Sequence, residues 1–143
     1  MPLPITGDLL LRLIPQREPI VMVSGLEEYS ETHLISSFVV KDGHLFVDGQ
    51  GLAESGLLEH MAQSVALHTG YGFFLRNEEA PVGYIGSMQS VEINSLPRIG
   101  QTVYSEVTII QEFMGVTLVK IITTLAGEII ARAQMKTVIA SKT

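Results

Sequence analysis

The chain has 143 residues, enough for one domain with a real core, and a formal net charge of −6. Charged residues make up only 17% of it, and cysteine is absent, which excludes disulfides, a thiolate nucleophile and thiolate metal sites. The acidic balance argues against nucleic acid and anionic membranes as partners, and no apolar run approaches the ~20 residues that span a bilayer. So little charge is expected where part of the surface is covered by another subunit.

In chain order, Thr6 or Gly7 can cap a short helix over residues 8–14, with Asp8 favourable in its first turn and Pro15 ending it. The start, MPLPITGD, has neither a basic nor an apolar leader segment, so no signal peptide is expected and the expected location is the cytoplasm. Pro19 holds Glu18 extended, and residues 20–28 then read as a strand. A second strand, HLISSFVV, follows at residues 33–40.

Residues 41–51, KDGHLFVDGQG, form a glycine-rich loop. It enters a helix over residues 52–75, LAESGLLEHMAQSVALHTGYGFFL. That helix is apolar nearly all round, so it is expected to be buried. Leu57, Leu58, Met61, Val65 and Leu75 share one side; Gly56, Ala62, Ala66 and Gly70 share the other with Glu59 and Gln63. Glu59 is thus expected to be a carboxylate inside the protein, where such groups often mark working sites. The small residues beside it let a ligand or another segment come close.

The remainder reads as β. A strand over residues 82–94, bulged near Gly86, is followed by the LPRIG turn, an alternating strand over 101–112, a turn at 113–115, a strand over 116–125, a tight Ala126-Gly127 turn and a last strand over 128–139. Several strands around one buried helix predict an α+β domain spanning residues 1–143, its antiparallel sheet wrapped around that helix.

Four stretches resemble the 3-hydroxyacyl-[acyl carrier protein] dehydratases of the hotdog superfamily. They are LIPQREPIVMV at residues 13–23, EHMAQ at 59–63, PRIGQT at 97–102 and GEIIARAQM at 127–135. There is also some likeness to the dehydratase-like proteins of aryl polyene pathways. The resemblance implies a hotdog fold, assembled as a homodimer, a higher oligomer or with a second hotdog chain. It also implies removal of water from a 3-hydroxyacyl thioester to give the trans-2-enoyl form. The acyl group would arrive on acyl carrier protein or coenzyme A; phosphopantetheine comes with the carrier, and neither metal nor bound cofactor is implied.

The family pairs a carboxylate on the central helix with a histidine from the other subunit. Glu59 matches the first. Gly43-His44 keeps the family's Gly-His pair, but His44 stands one residue from the family spacing and the loop lacks its prolines. Gln16 occupies a position where the family often has histidine. Glu59 and His44 are the expected catalytic residues. Gln63 orients Glu59 or packs in the core. Gly51 or Gly56 presents an N–H to the thioester oxygen or simply permits close packing. Tyr84, with Val82 and Ile85, lines an acyl tunnel or belongs to the core. Glu59 could instead satisfy helix-start N–H groups near Ser55. Asp48 orients His44 or serves the turn; His60 and His68 read as core or interface histidines, and His33 as exposed.

Two other functions fit the same residues. A thioesterase would use Glu59 and Gln63 to position water. A catalytically degenerate subunit would bind acyl chains or partner an active dehydratase.

Overall fold

The computed structural model describes residues 2–139. A short helix α1 (Gly7–Leu11) precedes strands β1 (Gly25–Ser30) and β2 (His33–Val39). A two-stranded hairpin, β3 (Val47–Asp48) and β4 (Gly51–Leu52), leads into the long helix α2 (Glu54–Leu75). Four strands follow: β5 (Gly83–Ile93), β6 (Thr102–Phe113), β7 (Val116–Leu125) and β8 (Glu128–Ile139). The six long strands form one antiparallel sheet in the order β1-β2-β6-β7-β8-β5, and α2 packs on one face of it. This is the hotdog architecture that the sequence predicts.

Alternation along the strands decides what the sheet buries. Leu34 and Phe38 of β2, Val103 and Val107 of β6, Val119 and Ile121 of β7, and Ala131, Ala133 and Met135 of β8 face the helix and are buried. Leu57, Met61 and Leu67 of α2 meet them with no exposed surface. At ~25 cal/mol per Å² of apolar area, this layer is the main stabilising contribution. Leu75, expected on the same side, is the last residue of α2 and is instead 52% exposed.

Two turns need the left-handed conformation. Ala126 and Gly127 both have positive φ, as a two-residue hairpin turn between twisted strands requires, and Met114 with Gly115 repeats the arrangement at the β6–β7 tip. The register shifts between Ile85 and Ser87, which places the expected bulge at Gly86. β5 is a sheet edge, and every residue of it but Ile93 is exposed.

Three local expectations are corrected. α1 stops at Leu11, a turn short of Ile14. The helix start lies at Glu54 with Ala53 as the capping residue, so Ser55 is inside the helix and makes no cap. Residues 20–24 are not strand. Gln63 and His60 of α2 take the Ile20 carbonyl and the Met22 N–H and carbonyl, His44 takes the Val21 carbonyl, and β1 begins only at Gly25.

Candidate active site

Gln63 is the centre of the site. It has no exposed surface, so each of its polar atoms must find a partner. Its Oε1 accepts the Met22 N–H at 2.7 Å. Its Nε2 donates to the Ile20 carbonyl at 2.8 Å and to Glu59 Oε1 at 2.9 Å. Glu59 and Gln63 are four residues apart, one turn on the same helix face. Glu59 is therefore held from the buried side, and it is not a helix-start cap.

Glu59 is half-buried rather than enclosed. It stands in the wall of a cavity of about 410 Å³ that runs along α2 past Ala62, Val65, Ala66 and Gly70. Val82, Gly83 and Ile85 line it from β5 and the segment before it, and Leu13 to Gln16 from the chain after α1. The wall is mostly apolar, so it suits an acyl chain beside a carboxylate. Ala62, Ala66 and Gly70 leave the room. Gly70 also admits a neighbouring segment: a Cβ there would stand 1.8 Å from the Leu13 carbonyl oxygen.

His60, the residue after Glu59, points into the core. Its Nδ1–H donates to the Met22 carbonyl at 2.7 Å, and its Nε2 accepts from the Ser105 hydroxyl at 2.9 Å. Ser105 in turn lies 2.7 Å from the Thr123 hydroxyl. Burial lowers the His60 pKa to about 4, against the smaller opposing pull of the Met22 carbonyl. The ring is a neutral structural group. His68 is half-buried against the Ser30 carbonyl at 3.0 Å, and burial lowers its pKa as well. Among the described residues no cluster of three or more His, Asp or Glu has metal-binding geometry.

His44 lies elsewhere in the protomer. It borders a smaller cavity of about 230 Å³ with Val21, Phe38 and Lys41, and does not line the Glu59 cavity. Both ring nitrogens are engaged. Nδ1 accepts the Phe46 N–H at 3.2 Å, so Nε2 carries the proton and donates to the Val21 carbonyl at 3.0 Å. Phe38 packs edge-on against the ring. His44 and Glu59 are thus not paired within one protomer, although Val21 and Met22, which their two networks hold, are neighbours.

The remaining expected residues fall in three places. Gly56 lies in the first turn of α2, where N–H groups have no helical acceptor. A Cβ there would meet Phe46 Cβ at 2.7 Å, so Gly56 allows the loop to seat on the helix. Gly51 pairs with Asp48 in the hairpin and bridges to Arg98. Tyr84 does not line the Glu59 cavity, although its neighbours Gly83 and Ile85 do; it is 62% exposed and pairs with Val138. Sequence reasoning missed the grip of α2 on residues 20–22. The signal available was a buried-helix Gln and His beside the Glu, polar groups that require partners.

The fold has many solved counterparts. The dehydratase heterocomplex ApeI:P from Xenorhabdus doucetiae superimposes with a TM-score of 0.81 at 18% identity, covering 99% of this chain and 94% of that one. An uncharacterised protein from Pyrococcus horikoshii gives 0.70 at 12% identity, covering 98% and 96%. A Streptococcus mutans protein solved with acetyl CoA gives 0.65 at 12%, covering 82% and 88%. At such identities these similarities concern the fold alone. No curated protein sequence matches the chain. The family comparison reaches further, because the ApeP dehydratase model matches residues 10–142. The chain therefore belongs to the ApeP-like dehydratase family.

Proposed function

We propose that this chain is a subunit of a 3-hydroxyacyl thioester dehydratase, with Glu59 as its acid–base carboxylate. The observation that carries this reading is Glu59 fixed by Gln63 in the wall of an apolar cavity. In the reaction a base takes a proton from C2, the C3–oxygen bond breaks, and the leaving hydroxyl takes a proton and departs as water. A trans-2-enoyl thioester remains. Glu59 would hand the proton to the hydroxyl, and a histidine would serve as the base. The acyl group would come on the phosphopantetheine arm of acyl carrier protein or coenzyme A, with no further cofactor, and Gly56 would offer an N–H to its thioester oxygen.

A second subunit would complete the site. β5 offers an unpaired edge with Tyr84, Ile85, Met88 and Val91 exposed, a surface suited to strand addition. Its occupant would be a second copy of this chain or another hotdog subunit. The engagement of both His44 nitrogens favours the latter. In that reading this chain contributes Glu59, and the partner contributes the base.

The test is a product assay on the full-length protein with 3-hydroxyacyl-carrier substrates, alone and after adding a candidate hotdog partner. Enoyl thioester from the protein alone supports a homodimeric dehydratase with His44 as base. Enoyl thioester only with the partner supports the shared site. Free acid and thiol would replace the dehydratase reading with a thioesterase one.

A further inference from the structure

A row of polar side chains crosses the core away from the Glu59 cavity. Ser36 of β2 stands beside Ser105 of β6, and Ser105 beside Thr123 of β7, so three hydroxyls span the sheet in register. None has exposed surface, and each needs a partner in an interior that is otherwise apolar. α2 answers with His60 and Ser64, one turn apart. The Ser64 hydroxyl donates to the His60 carbonyl at 2.8 Å and lies 2.6 Å from the Ser36 hydroxyl, so Ser36 donates to Ser64. His60 Nε2 meets the Ser105 hydroxyl at 2.9 Å.

The proton positions follow from the end of the row. The Met22 carbonyl can only accept, so His60 Nδ1 carries the proton. The ring is neutral, so Nε2 is bare and Ser105 gives it its single hydrogen. Thr123 is then the donor to Ser105, at 2.7 Å. The donors point one way, from Thr123 through Ser105 and His60 to Met22.

Met22 is where this row meets the site. His60 holds its carbonyl, Gln63 holds its N–H, and the same Gln63 amide donates to Glu59. One Cα lies between the two held groups. Met22 precedes β1, so no sheet ladder substitutes for either bond. Without His60, the Met22 carbonyl is a buried acceptor that must turn to find a donor. Turning it moves the N–H, and with it Gln63 and Glu59. A displacement of roughly 1 Å in a catalytic group can cost about 10²-fold in rate.

We propose that His60 is a positioning residue for Glu59: its Nδ1–H fixes Met22, and through Met22 and Gln63 it fixes the carboxylate in the cavity wall. The inference rests on Glu59 being the acid–base group of the proposed dehydratase. A histidine that merely filled the core would act through its packing and through both ring nitrogens. Here turnover depends on one nitrogen and not on the other.

Two substitutions separate the nitrogens. Asparagine carries its amide nitrogen at the Nδ1 position, so His60→Asn keeps a donor for Met22 and gives up the Ser105 contact. Glutamine reaches the Nε2 position, so His60→Gln keeps the Ser105 contact and gives up Met22. Each loses one buried hydrogen bond and part of the ring, so both are expected to melt below wild type. Steady-state kinetics are measured on the full-length protein with a 3-hydroxyacyl-carrier substrate, with the partner subunit present if wild type requires it. His60→Gln is expected to lower kcat by about 10-fold or more, with KM within about twofold of wild type. His60→Asn is expected to keep kcat within about threefold. Ser105→Ala removes the same Nε2 contact from the sheet side, and is likewise expected to keep kcat within about threefold despite a lower melting temperature.

Equal losses of kcat in the two His60 variants overturn the proposal, because packing alone then accounts for them. So does a kcat in His60→Gln within about twofold of wild type, or a change carried by KM. If His60→Gln does not fold, the other two variants decide. A fall of about 10-fold in either overturns the proposal, and retained kcat beside lowered melting supports it. Absence of enoyl product from wild type in every assembly removes the dehydratase reading and this inference with it. The other outcomes leave that reading standing.

Discussion

Glu59 and His44 are handled in opposite ways by the same fold. Gln63 engages one carboxylate oxygen of Glu59 from the buried side and leaves the group in a cavity wall. His44 has its lone pair covered by the Phe46 N–H and its proton given to the Val21 carbonyl. The carboxylate is presented; the imidazole is stowed. The difference follows from what each sits on. Glu59 is on a 22-residue helix packed against a sheet, whereas His44 is on a loop that must satisfy its own backbone. A working base in this protomer would require the Phe46 hydrogen bond to open. A base from a partner subunit would not.

The largest expected effect is on the presented side. Glu59→Gln should lower turnover in the dehydratase assay by roughly 10²- to 10⁴-fold, the usual weight of a general acid or base, with a circular dichroism melt close to wild type. A loss under threefold would remove Glu59 from the chemistry.

Gln63→Met sharpens the contrast by removing the support and leaving the carboxylate. It strands the Met22 N–H and the Ile20 carbonyl, so denaturant unfolding should show about 2–4 kcal/mol less stability, and turnover should fall with it. Stability within 0.5 kcal/mol of wild type, a value on the scale of neutral surface changes, would mean that water replaces the amide.

The next effect is set by pH. The His60 pKa is about 4 when folded against 6.5 as its ordinary value. Between these values the unfolded chain binds a proton that the folded chain does not, so stability rises with pH through that window. It is lost as pH falls from about 6.5 towards 4, by about 3 kcal/mol in all. Urea unfolding at pH 7 and pH 4.5 checks this, and His60→Gln should flatten the dependence. An unchanged slope in that variant would assign the acid sensitivity to other groups.

The smallest effect is expected at the stowed group. His44→Ala should cost about 1 kcal/mol of stability through its two hydrogen bonds. If the base comes from a different chain, turnover of the complex should change less than threefold. A loss comparable with that of Glu59→Gln would place the base here after all.

Much of this was legible in the sequence. The apolar content of residues 52–75 foretells a buried helix, the Ala126-Gly127 and Phe113–Gly115 turns set the hairpins, and Glu59 among small residues points to the cavity wall where it stands. What local patterns did not carry were long-range side-chain choices. Ile20 to Val23 has strand composition, yet partners for the Ile20 carbonyl and for both Met22 backbone groups come from Gln63 and His60, some forty positions later. Tyr84 reads with Val82 and Ile85 as a core or tunnel residue, but β5 is a sheet edge and leaves it 62% exposed. His44 was identifiable as a loop histidine, but the bonds that occupy its ring depend on where residues 20–22 come to rest.

That resting place has a dynamic consequence. The Met22 amide proton is protected by one side-chain oxygen, that of Gln63, and not by a sheet ladder. The fluctuation that exposes it to solvent must loosen the same carboxamide that steadies Glu59. Amide hydrogen exchange at Met22 is therefore expected to report how firmly Gln63 is held. Any ligand or partner that quiets the site should slow that single proton before it slows those of the surrounding strands.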